Sequence, residues 1–145
     1  TYEENKSHFS LWCMMAAPLI LGNDIRTFIN SDGEVDESNK VLSILKNKEL
    51  IAIDQDKKGC QCRRVKTNVI SDVLVKPLEG GEVAVCLFNK SPSTLNMTVS
   101  LNQIYLTQYF LISLTTLNSP RICIVVIRGE FCCYVDSYPF EKDSL

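Results

Sequence analysis

The sequence predicts an α/β segment followed by antiparallel β structure, and three observations carry that expectation. Near the start, apolar residues recur at helical spacing and run into a short uninterrupted apolar stretch that ends on a polar loop. After Gly59 the pattern changes from helical spacing to strict alternation. Further on, no charged residue falls between Ser91 and Pro120, and only Arg121, Arg128 and Glu130 carry charge from Gln103 to Val135.

Each element has a local reason. Thr1 and Glu4 stand at capping-box spacing, so a helix begins there, the hydroxyl satisfying an orphan amide while the carboxylate reaches back. Phe9, Trp12 and Ala16 share one face, flanked by Cys13 and Met15, which is the stripe of a helix packed on a core. Pro18 stops it, because a proline inside a helix loses a hydrogen bond and clashes with the preceding turn. Leu19-Ile20-Leu21 lacks alternation and reads as a short buried strand of a parallel sheet, closed by Gly22-Asn23-Asp24. Residues 30–39 form a polar connection, and a second helix starts near Asp36 or Ser38 with Val41, Leu42 and Leu45 on its inner face. Ile51-Ala52-Ile53 continues apolar until Asp54-Gln55-Asp56 and Lys57-Lys58-Gly59 close the segment. A domain boundary is expected between about Asp56 and Lys66.

Beyond it, Glu79-Gly80-Gly81-Glu82 is a hairpin turn signal between Val73 and Val75 on one side and the stretch Val83–Phe88 on the other. Leu95, Met97, Val99 and Leu101 alternate with Asn96, Thr98, Ser100 and Asn102, as in an antiparallel strand with one wet face. Phe110–Leu114 and Ile122–Ile127 read as further short strands.

Composition removes several function classes. At 46% hydrophobic and 22% charged the chain is globular rather than disordered. Its 145 residues are too few for a complete (β/α)8 barrel, which takes roughly 250. With 15 basic against 17 acidic residues there is no basic excess, so no nucleic-acid partner is expected. Gln103, Gln108, Ser113, Thr115, Thr116 and Asn118 interrupt the uncharged stretch too often for a membrane span of about 20 apolar positions. The chain opens on Thr1-Tyr2-Glu3-Glu4 with neither a basic n-region nor an apolar h-region, so it shows no signal peptide and is expected to be cut from something longer.

His8 is the single imidazole, so a Ser-His-Asp triad or Cys-His pair would have to use it and a His-rich zinc site is impossible. In a helix beside Ser7 and Phe9 it reads as a partly buried structural histidine. The cysteines are Cys13, Cys60, Cys62, Cys86, Cys123, Cys132 and Cys133. Neither Cys60-x-Cys62 nor Cys132-Cys133 has the C-x2-C spacing of common zinc sites, so reduced, partly buried thiols are expected, with no metal and no cofactor.

Two carboxylate motifs compete for chemistry. Asp54-x-Asp56 suggests a glycosidase pair, but on a helix positions i and i+2 diverge and on a strand they sit side by side rather than across a cleft. The structural alternative is an acidic helix end. Asn23 and Asp24 fall where a parallel strand ends, the place where α/β architectures bind ligands. Against that, Asp24 has Arg26 close by to pair with, or the next turn to cap. Lys57, Lys58, Arg63 and Arg64 read as solvated surface without interleaved aromatics. Asn5-Lys-Ser7, Asn89-Lys-Ser91 and Asn96-Met-Thr98 match the glycosylation triplet, a frequent chance match.

The stretch from Ser7-His8-Phe9-Ser10-Leu11-Trp12 through Ala16-Ala17-Pro18-Leu19-Ile20-Leu21-Gly22-Asn23-Asp24-Ile25-Arg26 resembles the seventh helix and eighth strand of the α-galactosidases (melibiases) of glycoside hydrolase family 27. Leu45 to Glu49 and Ile51-Ala-Ile-Asp-Gln-Asp56 resemble the eighth helix and the exit from the barrel. Gly59-x-Gln61-x-Arg63-Arg64-Val65 is similar to the crossing into a C-terminal β-sandwich, and Lys76-Pro77-Leu78 with Ala84-Val85-x-Leu87-Phe88-Asn89 to its first strands. The resemblance covers roughly residues 1–102 and departs from the pattern at Cys60 and Cys62, which stand where the family usually has Lys and Gly.

The resemblance implies the last helix–strand–helix elements of a (β/α)8 barrel at 1–58, the start of an antiparallel β-sandwich at 59–102, and a divergent or out-of-frame, β-rich tail at 103–145. It also implies a retaining hydrolase of terminal α-galactosides, in which one barrel Asp attacks the anomeric carbon and a second serves as acid and then base. Neither of those Asp motifs is present in this chain. No residue here therefore takes a family catalytic role, and no substrate-binding residue is assigned, Asn23 and Asp24 being the candidates at a barrel strand end. The chain alone is expected to be inactive, the α-galactoside being the substrate of a longer parent. The alternative reading is a non-catalytic carbohydrate-binding or interaction β-module.

Overall fold

The computed structural model describes residues 1–93, 95–100, 111–115, 122–128 and 131–134. Three helices, α1 (Tyr2–Met14), α2 (Lys40–Leu45) and α3 (Lys48–Asp54), precede seven strands: β1 (Arg63–Thr67), β2 (Ser71–Pro77), β3 (Val83–Asn89), β4 (Asn96–Ser100), β5 (Leu111–Thr115), β6 (Ile122–Arg128) and β7 (Phe131–Tyr134).

The capping box forms as the spacing predicts, Thr1 accepting from the Glu4 amide while the Glu4 carboxylate accepts from the Thr1 hydroxyl and terminal amine. α1 ends at Met14, well before Pro18. Ala16 takes a left-handed φ of +51°, and the Ala16 and Ala17 amides donate to the Cys13 and Trp12 carbonyls at 3.3 and 3.2 Å. That is a Schellman closure with alanine where glycine is usual. Asn39 and Asn47 cap α2 and α3, each side-chain oxygen accepting from two backbone amides of the first turn. The second helix thus starts at Lys40, later than Asp36 or Ser38, and Ile44 is its buried residue, with Val41, Leu42 and Leu45 half-buried.

Leu19-Ile20-Leu21 does not form a strand, and Ile20 and Leu21 are 79% and 53% exposed. A buried parallel strand needs a hydrogen-bonded neighbour on each side, and no described strand flanks this run. The core stripe of α1 is also rotated from the expected one. Ser7, Ser10, Cys13 and Met14 are buried, whereas Phe9, Trp12 and Ala16 are half-buried. The small-residue face packs towards β2 and β6, and the aromatic face turns towards α2.

The strands form a five-stranded sheet in the order β1-β2-β3-β6-β7 and a two-stranded sheet of β4 and β5. All pairings are antiparallel. The β2–β3 hairpin closes over Glu79–Gly81, where Gly80 and Gly81 have φ of +71° and +84°, a conformation that favours glycine. Alternation sorts the faces. Val73, Val75, Val83, Val85 and Leu87 pack on Met97 and Val99 of the small sheet, while Leu74, Leu78, Ala84, Cys86 and Phe88 face Cys13, Met14, Leu50 and Ile53 of the helices. The result is three layers: helices, large sheet, small sheet. Strands therefore run through 111–115 and 122–128 of the tail, with β6 in the interior of the large sheet. Leu101 and Phe110, at the edges of two expected strands, lie outside the described residues.

One cation joins the first two layers. Lys76 has no exposed surface, and its ammonium donates to the Cys13 carbonyl at 2.9 Å and to the Ile53 carbonyl. Those carbonyls belong to the last turns of α1 and α3, the negative ends of the helix dipoles. Burial pulls the Lys76 ammonium below its ordinary value, and the charges of Asp54 and Asp56 oppose that. Two further bonds cross the same seam, from the Cys62 amide to the Met14 carbonyl at 2.9 Å and from the Glu79 amide to Asp56 Oδ1 at 3.0 Å.

At the far end of the β1–β2 hairpin, Asp72 is buried. Loss of solvent would raise its pKa, but hydrogen bonds from Thr67 and Lys90 and the charge of Arg64 outweigh that and hold the carboxyl below the ordinary value.

Lys76→Met strands the Ile53 carbonyl, leaves the Cys13 carbonyl with only the longer bond from the Ala16 amide, and removes the positive charge that faces Asp54. The urea midpoint should fall by an amount equivalent to about 2–4 kcal/mol, and an unchanged midpoint would remove the joining role. Ala16→Gly should raise the midpoint by about 0.5–1 kcal/mol, since glycine adopts the left-handed conformation without a Cβ penalty. Because the Asp72 carboxyl is depressed in the fold, the unfolded chain takes up that proton first on acidification. Its stabilisation is complete above the ordinary Asp range near pH ~4 and is lost as pH falls through the lower folded value. Urea midpoints measured from about pH 6 downward should decline less steeply in Asp72→Asn than in the parent chain.

Candidate functional site

A groove of about 300 Å³ lies between α1, residues 19–23 and α2. Asn5, His8, Phe9 and Trp12 line it from α1, Leu19 to Asn23 from the irregular segment, and Val41, Ile44 and Leu45 from α2. Helical spacing sets His8 and Trp12 one turn apart on one face, and their rings meet edge to face with centroids 4.9 Å apart. His8 is exposed rather than partly buried, because the face of α1 that carries it is the one turned from the sheet.

Of the two positions expected at a strand end, Asn23 lines the groove and Asp24 does not. Asp24 caps the short turn Ile25–Phe28 through the Arg26 amide at 3.1 Å and accepts from Arg26 Nη2 at 2.6 Å. The bond from the Arg26 side chain, with that from its amide, holds the Asp24 carboxyl below the usual range. The structural alternative is the one this geometry shows.

Asp54 and Asp56 also diverge. Asp54 ends α3, buried, with one oxygen accepting from the Gln55 side chain and the other without a hydrogen-bond partner among the described residues. Asp56 accepts from the Lys58 and Glu79 amides. Both shape the seam around Lys76. No Asp or Glu lines the groove, so it lacks the two opposed carboxylates that glycoside hydrolysis uses. Its aromatic rings and two carboxamides are groups that bind rather than react.

Among the described residues no three His, Cys, Asp or Glu side chains gather as a metal site would require, and no helix is long and apolar enough to cross a membrane. Cys13, Cys60, Cys62 and Cys86 are in no disulfide among the described residues. Of the glycosylation triplets, Asn5 and Asn96 are exposed, whereas Asn89 is buried at the end of β3, donating to the Ser93 carbonyl at 2.7 Å. Lys76 is the residue that sequence reasoning passed over. The signal was present, since residue 76 shares parity with Leu74 and Leu78 on the helix-facing side.

Two family profiles match the chain in order: that described as alpha galactosidase A over residues 1–56, and that of the alpha galactosidase C-terminal beta sandwich domain over residues 70–112. Alpha-galactosidase 3 of Arabidopsis thaliana is 33% identical over 141 residues, which take in 95% of this chain and 30% of the relative. The α-galactosidase of Coffea arabica is 42% identical over 98 residues, 68% of this chain and 24% of the relative. Among solved structures, α-galactosidase I of Mortierella vinacea superposes with a TM-score of 0.64 at 29% identity, covering 73% of this chain and 24% of that one. The α-galactosidase of Saccharomyces cerevisiae, solved with raffinose, gives 0.62 at 25% identity over 83% of this chain and 25% of its own. The chain thus spans a third or less of the length of these relatives. Two matches in the family's order, on helices and then on an antiparallel sheet, place the chain in the α-galactosidase (melibiase) family of glycoside hydrolases, family 27.

Proposed function

We propose that these residues serve a retaining glycosidase that removes terminal α-D-galactosyl groups, and that they supply its scaffold rather than its catalytic carboxylates. The order of the two profile matches, with the change from helix to strand between Asp54 and Arg63, is the observation that carries the reading. On it, residues 1–58 are the closing helix–strand–helix elements of a (β/α)8 barrel, 59–102 open the C-terminal sandwich, and 103–145 are a divergent continuation of it. The exposed Ile20 and Leu21, irregular here, support an apolar run that would find its neighbours only in a longer polypeptide. The absence of any carboxylate from the groove supports a chain without catalysis of its own.

The alternative, a non-catalytic sugar-binding β-module, would need aromatic platforms on the sheets. The single Trp lies instead on α1. Purified chain should release no nitrophenol from an aryl α-galactoside, while a longer polypeptide carrying the two catalytic Asp motifs should release it. Turnover by the chain alone would overturn its assignment as scaffold, and inactivity of the longer polypeptide would overturn the glycosidase reading. Glycan binding that survives deletion of residues 1–58 would favour the module.

A further inference from the structure

Three thiols line the seam between helices and sheet. Cys13 and Cys86 are fully buried in one apolar cluster, and half-buried Cys62 packs against it. The Cys62 amide bonds to the Met14 carbonyl at 2.9 Å, so the Cα atoms of Cys62 and Met14 are no more than about 7 Å apart, with Cys13 the next residue along. Arg63 pairs with Val75, which sets Cys62 beside Lys76 when the register is extended by one residue. The Lys76 ammonium in turn holds the Cys13 carbonyl. Cys62 and Cys13 therefore flank one side chain from the sheet and helix sides.

Cys86 is differently placed. It pairs with Leu74 on β3, so strand β2 and a two-residue step of register separate it from Cys62, roughly 10 Å or more and beyond disulfide reach.

We propose that Cys13 and Cys62 are a redox pair that closes a disulfide between the last turn of α1 and the segment leading into β1. Cys62, the thiol with solvent access, loses its proton to solvent and attacks one sulfur of a small-molecule disulfide, releasing one thiolate and leaving a mixed disulfide on Cys62. Cys13, deprotonated in turn, attacks the Cys62 sulfur and expels the second small thiol. Two protein thiols are oxidised and one oxidant disulfide is reduced to two thiols. Burial pushes the Cys13 thiol up to about 12 and raises that of Cys62, so the exchange is slow at neutral pH and quickens as pH rises.

The test incubates the whole chain with oxidised glutathione at mildly alkaline pH, blocks remaining thiols in denaturant, and maps unreduced tryptic peptides by mass. The expected product joins the peptide of residues 7–26 to that of residues 59–63, with Cys13 and Cys62 withdrawn from alkylation and Cys60 alkylated. The link should persist in Cys60→Ser and vanish in Cys62→Ser, and fragmentation of the parent product assigns the bonded sulfur should either variant fail to fold. Cys13 left alkylated while Cys62 carries glutathione or bonds to Cys60 would overturn the pairing, as would a link that runs through Cys60.

Discussion

A lysine with no exposed surface must find all its partners inside the protein, and Lys76 finds them at the ends of two helices. The last carbonyls of a helix have no partners within it, so the Ile53 carbonyl of α3 depends on the ammonium and the Cys13 carbonyl of α1 shares it with the Ala16 amide. One ammonium serves both. For that to happen, the two helix ends must converge over β2 at the position where Lys76 leaves the sheet, which fixes the helical layer on the strands. The crossing bonds from Cys62 and Glu79 then fall along the same line. Asp54 and Asp56, which sequence reasoning weighed as a reactive pair, supply the opposing charge that keeps an ion tolerable in such a place.

The opposite side of the helical layer is unfinished by comparison. Trp12, Phe9 and His8 share a groove with Leu19 to Leu21, and the latter run exposes apolar side chains that no described element covers. One face of α1 is thus closed on the core through Ser7, Ser10, Cys13 and Met14, while the other leaves Trp12 and Phe9 half-buried along the groove towards α2. This asymmetry is the physical ground for the proposal that these residues serve as scaffold.

Local rules were legible where a residue acts on its own neighbours. The capping box of α1, the Gly80-Gly81 turn and the alternation of β2, β3 and β4 all form as their side chains and backbone preferences dictate. The two Asn caps, which set where α2 and α3 begin, follow the same chemistry, but the expected start of the second helix lay near Asp36 or Ser38, and no new start was expected at Asn47. The candidate site was half legible: Asn23 reaches the groove, whereas Asp24 is claimed two residues away by Arg26, a competition that spacing alone left open.

By itself, then, the sequence determined the change from helices to antiparallel strands, the Gly80-Gly81 turn and the family, because those depend on contacts between residues near in the chain and on motifs in a fixed order. Tertiary structure alone decided which face of α1 is buried, that Leu19-Ile20-Leu21 stays out of a sheet, and which carbonyls the lysine in the seam meets. A strand requires neighbours, and a buried charge requires partners. In this chain the partners of Lys76 come from residues 63 and 23 positions away, which no local pattern specifies.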